Sequence, residues 1–159
     1  MQPWPTPQTL WLTSGGAEGS TELNAFDNAL LAAGIGNLNL VRVSSIVPAN
    51  AELLSAAPKI EPGSLVPAVY SVMHSDTAGE TVCAALGLGF SEAGKHGMIF
   101  EYHASARDVA ERVVTGMVHE GFARRGLPLD RVVVRVAEHR VERVGCAVAA
   151  VVLWWRDAG

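Results

Sequence analysis

Apolar residues in this chain alternate with polar ones in short runs, and in two places they recur every three or four positions. Alternation marks strands and the longer spacing marks helices. Thr9-Leu-Trp-Leu-Thr-Ser14 reads as a strand that the following Gly15-Gly-Ala-Glu-Gly19 breaks. A helix is predicted to start at Ser20 or Thr21, either a good N-cap, with an apolar stripe of Leu23, Phe26, Leu30 and Ala33 and a stop at Gly34. Asp27 shares the side of that stripe, an unusual place for a carboxylate. Leu38 to Val47 reads as one strand, with Leu40, Arg42, Ser44 and Ile46 on one face and Asn39, Val41, Val43 and Ser45 on the other. Residues 48–64, with Pro48, Pro58 and Pro62, form a loop with room for a short helical turn.

Strands are predicted over Leu65–Met73, Thr81–Gly89 and Gly97–His103, the second weakened by its glycines. The clearest helix is 106–124, opened by a capping box from Ser105 to Asp108 and ended by Gly126 and Pro128. Its inward stripe is Ala110, Val113, Val114, Met117, Val118 and Phe122. Arg131–Glu138 and Glu142–Trp155 complete the strands, and the last is apolar on both faces, as a covered central strand would be. Two helices among many strands indicate a single α+β domain, an αββα-like sandwich of antiparallel-rich sheets with the helices packed outside.

Composition narrows the function classes. With 159 residues, a net charge of −4 and a pI near 5.7, the chain has no basic surface for nucleic acid or an anionic membrane. Its longest apolar run, Val144 to Trp155, falls short of the roughly 20 residues a membrane helix needs. The N-terminus has three prolines in its first seven residues and no basic or long apolar region, unlike a signal peptide. Cys83 and Cys146 sit in apolar contexts and read as reduced, buried thiols, so a cytoplasmic location is expected. No two histidines stand at ligand spacing on one helix, so no metal site is expected. The Gly15–Thr21 stretch could hold an anion on backbone amides, but it lacks a P-loop lysine and reads better as a strand-to-helix turn.

Adjacent serines at 44 and 45 would be unremarked without the text around them. Ser20-Thr-Glu-Leu-Asn-Ala-Phe-Asp-Asn-Ala-Leu30 and Gly34-Ile-Gly-Asn-Leu-Asn-Leu-Val-Arg-Val-Ser-Ser-Ile-Val-Pro48 closely resemble the pyruvoyl-dependent arginine decarboxylases. The likeness continues in Leu65-Val-Pro-Ala, Gly79-Glu-Thr, Gly97-Met-Ile-Phe-Glu-Tyr102, Glu138-His-x-Val-Glu-x-x-Gly-Cys-Ala147 and Leu153-Trp, nearly the whole chain.

That resemblance implies a self-cleaving proenzyme, split into residues 1–44 and 45–159. Ser45 Oγ attacks the Ser44 carbonyl and converts the amide to an ester. β-Elimination releases residues 1–44 with a Ser44 carboxylate, and the dehydroalanine left at 45 hydrolyses to a pyruvoyl group with loss of ammonia. This covalent cofactor forms a Schiff base with the α-amine of L-arginine and accepts the electrons freed as CO₂ leaves, giving agmatine. The resemblance further implies that Asn39 assists processing and that Glu101 relays a proton to the substrate carbon. Asp27 would pair with the guanidinium, and Leu30 and Ser44 would line the pocket. If Glu101 lies in apolar surroundings, its pKa would rise to suit an acid near neutral pH.

Asn39 and Ser45 share a face of the expected strand, yet six extended residues separate them by roughly 20 Å. Either the strand bends or a neighbouring subunit completes the site. The family's trimeric assembly favours the second, and a homotrimer is expected. Gly87, Gly89, the loop from Ser91 to Gly97 and His103-Ala-Ser105 depart from the family pattern. Two other readings stand beside this one: the same chemistry on another amino acid, or an uncleaved, non-catalytic trimeric homologue. Nucleotide binding at Gly15–Thr21 is a third.

Overall fold

The computed structural model describes residues 4–156. Eleven elements are formed: β1 (Thr9–Glu18), α1 (Glu22–Ala32), β2 (Asn39–Arg42), β3 (Ile46–Val47), β4 (Glu52–Leu53), β5 (Leu65–Ser75), β6 (Thr81–Phe90), β7 (Gly97–Ala104), α2 (Arg107–Arg125), β8 (Arg131–Arg140) and β9 (Gly145–Trp154). One sheet runs in the order β2-β5-β9-β1-β4 and the other β3-β7-β6-β8. All neighbours are antiparallel except β2 with β5 and β1 with β4.

The sheets pack face to face through Leu10, Val69, Leu86, Leu88, Ile99, Ala149 and Val151. Helix α1 covers the outer face of the first sheet, against Val66, Val148, Ala150 and Val152. Helix α2 covers the outer face of the second, against Cys83, Ala85, Met98 and Val136. The layers are therefore α, β, β, α, as the residue pattern predicts. Strand β9 lies between β5 and β1, and Gly145 to Leu153 is wholly buried, which explains its apolar character on both faces.

Several expectations need correction. Gly15 and Gly16 do not break β1, which continues to Glu18 in register with β9. A Cβ on Gly15 would lie 2.6 Å from the Ala29 carbonyl oxygen and 2.7 Å from the Ala33 amide, so the glycine is what allows α1 to rest on the strand. Gly15 to Glu18 pair with β9 as strand, so the loop of free amides that the nucleotide reading needs does not form there. The contact face of α1 is consequently the small one, Ala25, Ala29 and Ala33 with Leu30, while Leu23 is 74% exposed and Asp27 points to solvent. Thr21 caps the helix, its hydroxyl accepting from the Asn24 amide at 3.1 Å. In α2 the cap position is Ala106, and no side chain caps the helix, contrary to the expected capping box at Ser105.

The glycines of β6 do not weaken it either. Its ten residues pair with β8 and Cys83 to Gly89 also with β7, and Gly87 and Gly89 admit Val114, Val118 and Phe122 of α2. Strand β4 was not expected at all; within the Pro-bearing stretch 48–64, Thr9 and Leu10 pair with Glu52 and Leu53. The largest difference concerns residues 38–47, which form two short strands in two different sheets.

At the far end of β1, Glu18 ties down the β8–β9 turn. Its Oε1 accepts from the amides of Glu142 at 3.1 Å and Arg143 at 2.7 Å, and its Oε2 pairs with His139 Nε2. Burial pushes this carboxyl upward, but the His139 and backbone hydrogen bonds and the His139 charge outweigh it and hold the pKa below its ordinary 4.5.

A group whose folded pKa is depressed stabilises the fold above its unfolded value. The Glu18 contribution is thus complete above about pH 4.5 and is lost as the pH falls below it. We expect Glu18→Gln to flatten the acid limb of a denaturant-stability profile there; an unchanged limb would show the tether is inert. Gly15→Ala should cost about 1–3 kcal/mol because backbone atoms of α1 must move. Gly116→Ala, on an exposed helix position with nothing within 4 Å of the new methyl, should gain about 0.5–1 kcal/mol. Urea midpoints of the two variants check both signs.

Candidate active site

The chain leaves the first sheet and enters the second over residues 43–45. The Val43 amide donates to the Ala68 carbonyl at 3.1 Å, the last bond to β5, and the Ile99 amide donates to the Ser45 carbonyl at 2.8 Å, the first bond to β7. Among the described residues, no hydrogen bond engages the Ser44 carbonyl or the Ser45 amide. The Ser44–Ser45 peptide is therefore the unpaired link between two paired segments. Ser44 is exposed and Ser45 half-buried.

This break resolves the distance problem posed by Asn39 differently from a straight strand. The predicted strand ends at Arg42, so alternation does not carry across to Ser45. Asn39 opens β2, and its Nδ2 donates to the Gly63 carbonyl at 2.8 Å, a bond to the turn before β5. In one protomer its amide serves that turn and no hydrogen bond joins it to Ser45.

Glu101 lies on β7, two residues beyond the Ile99 amide that holds Ser45. It is not in apolar surroundings: its carboxylate is 44% exposed and pairs with Arg42 Nη2 at 3.3 Å. The same Nη2 donates to the Tyr70 carbonyl, and the guanidinium stacks 4.3 Å above the Tyr70 ring. Tyr70 in turn meets Phe26 of α1, with ring centroids 6.4 Å apart. Asp27 is the next residue, exposed and unpaired among the described ion pairs. Leu30 is only 8% exposed and packs against the first sheet. Thus Ser44, Ser45, Glu101 and Arg42 gather at the crossover, while Asp27 and Leu30 belong to the outer layer. Arg42 and Tyr70 were missed by sequence reasoning. An arginine two residues before the serine pair was a readable signal; Tyr70 was not, because its strand gives no hint of what its edge faces.

Ser44 also lines a cleft of about 550 Å³ together with Val41, Val43, Ile46, Leu65, Pro67 and Trp155. Among the described residues, no charged side chain lines it. Such a cleft can take an aliphatic stem but leaves a guanidinium without a partner. Neither cysteine competes as a nucleophile. Burial, with a smaller contribution from Glu22, pushes the Cys146 thiol up to about 11, and burial with Glu138 raises Cys83.

The class the geometry defines is an α+β sandwich whose Ser44–Ser45 link is unpaired between two sheets. Comparison with known proteins fixes the family. The family model of pyruvoyl-dependent arginine decarboxylases matches residues 9–157. A pyruvoyl-dependent arginine decarboxylase of Methanocaldococcus jannaschii is 45% identical, covering 94% of this chain and 92% of its own. Those of Thermococcus sibiricus and Pyrococcus furiosus are 48% and 47% identical, covering 94% and 95% of this chain and 97% and 98% of their own. The chain belongs to the pyruvoyl-dependent arginine decarboxylase family.

Proposed function

We propose that this protein cleaves itself between Ser44 and Ser45, into residues 1–44 and 45–159, and decarboxylates L-arginine to agmatine. The observation that carries this reading is the unpaired peptide at the crossover between sheets, in a chain of this family. A carbonyl free of hydrogen bonds can pyramidalise without breaking a ladder, and both flanking segments are held, so the attacking hydroxyl and its target stay close. Position 45 fits the covalent group: a serine hydroxyl can form the ester and, after β-elimination, leave the three-carbon skeleton of a pyruvoyl. When formed, that ketone supplies the electron sink for the carbanion left as CO₂ departs.

The chain's own residues do the rest. Glu101, held near Ser45 through the β3–β7 pairing, is placed to move a proton at the substrate's α-carbon. The new Ser44 carboxyl terminus opens on the apolar cleft, which receives the aliphatic stem. Asp27 supplies the carboxylate that a guanidinium needs, with Leu30 beside it on α1.

A cleft without a charged lining among the described residues, and the placement of Asp27 on the outer layer, support a site completed by a second copy. Val41, Ile46 and Leu65, all on the cleft, are exposed by 44%, 38% and 58%, apolar surface of the kind a partner covers. A homotrimer with sites between subunits accounts for both, and for the processing role of Asn39, which would act on the Ser45 of its neighbour. A cytoplasmic location suits the two buried free thiols.

Intact mass spectrometry of the purified protein should show two chains, the larger beginning at residue 45 with a keto group in place of an amine. Ser45→Ala should stay in one piece and release no CO₂ from arginine. A wild-type chain that remains whole, or a cut one with a free serine N-terminus, would refute the reading. Asn39→Ala alone should cut at least about 100-fold more slowly, in the range seen when a positioned catalytic group is removed. Co-assembled with Ser45→Ala, which carries an intact Asn39, it should regain cleavage; no recovery would place Asn39 and its serine in one subunit.

A further inference from the structure

Arg42 has no assigned part in this chemistry, yet its side chain meets both sheets at the crossover. Its guanidinium reaches the Glu101 carboxylate of β7 at 3.3 Å, donates to the Tyr70 carbonyl of β5 and stacks on the Tyr70 ring at 4.3 Å. The reason lies in where β2 ends. Arg42 is its last residue, opposite Ala68, and the Val43 amide takes the Ala68 carbonyl. Along a strand, carbonyls two apart point to the same edge, so the Tyr70 carbonyl faces the gap that the departing chain leaves. Arg42 fills that gap with a side chain. One guanidinium thereby joins the two sheets on either side of the Ser44–Ser45 link.

Resting on the decarboxylase reading above, we infer that Arg42 is a positioning residue that orients Glu101 for proton movement at the substrate carbon. A glutamate on an exposed strand has three free torsions, and without a partner its carboxylate samples positions far from Ser45. The arginine restrains it through one Nη2 that meets a carboxylate and a carbonyl while the guanidinium face rests on an aromatic ring. A lysine supplies charge but no plane to stack. A bystander role makes a different forecast. Ion pairs as open as this one, with side chains 53% and 44% exposed, add little stability, so their loss would change nothing.

The test uses the full chain with Arg42→Met and Arg42→Lys, each alone and combined with Glu101→Gln. Cleavage is read by intact mass, and CO₂ release from L-arginine is normalised to cleaved chain. We expect Arg42→Met to cleave fully, melt within about 2–4 °C of wild type, and lose roughly 10–100-fold in kcat with KM within about 3-fold. Arg42→Lys should recover part of kcat. In the Glu101→Gln background, removing Arg42 should cost less than about 2-fold more, because a residue that acts through another has nothing left to act on. An equal loss in both backgrounds, an unchanged kcat, or an Arg42→Met chain that fails to cut while Glu101→Gln cuts normally would overturn the inference. Cleaved wild type that releases no CO₂ from arginine would instead sink the decarboxylase reading, and this inference with it.

Discussion

The chain must pass from one packed sheet to the other within three residues, and most of the site follows from that constraint. Facing sheets stand about 10 Å apart, roughly the span of three extended residues. Val43 is still bonded to β5 and the Ser45 carbonyl already to β7, so the intervening peptide cannot pair with either sheet. Most backbone groups in a folded protein are satisfied. Here the Ser44–Ser45 peptide has no protein partner among the described residues, at the bond proposed for cleavage. The same departure shortens β2, bares the Tyr70 carbonyl and brings Arg42 against Glu101.

Small residues make the surrounding layers close enough to hold that crossing. Helix α1 lies on β1 through alanines against glycines, and α2 lies on β6 through Val118 and Phe122 over Gly87 and Gly89. These glycines depart from simple strand preference, since glycine weakens an isolated strand. Their value is tertiary: they set the helix-to-sheet distance, which fixes how Phe26 reaches Tyr70 and how Asp27 is presented to solvent. Gly87 and Gly89, expected to depart from the family pattern, thus serve packing against α2.

Much of the layout was legible from residue order. The strand and helix spans of the C-terminal half fall within a few residues of those observed, because long runs such as Gly145–Leu153 and the stripe of α2 state their burial plainly. The serine pair could be singled out only by likeness to a family, since two hydroxyls on an expected strand carry no local signal. Asp27 was read as inward because its neighbours at helical spacing are larger and more apolar than the alanines. The helix instead turned its alanines inward, because glycines in β1 offered closer contact there.

What the amino-acid order determined by itself was most of the elements, the αββα layering and the family, all of which rest on local periodicity and on motifs kept in register. The tertiary structure alone decided that residues 38–47 form two strands rather than one, that the Ser44–Ser45 bond goes unpaired, and that Arg42, Tyr70 and Glu101 meet. Alternating apolar residues say that a segment is extended and half-covered; they do not say which sheet covers it. That choice depends on partners far away in the chain, Ala68 on one side and Ile99 on the other.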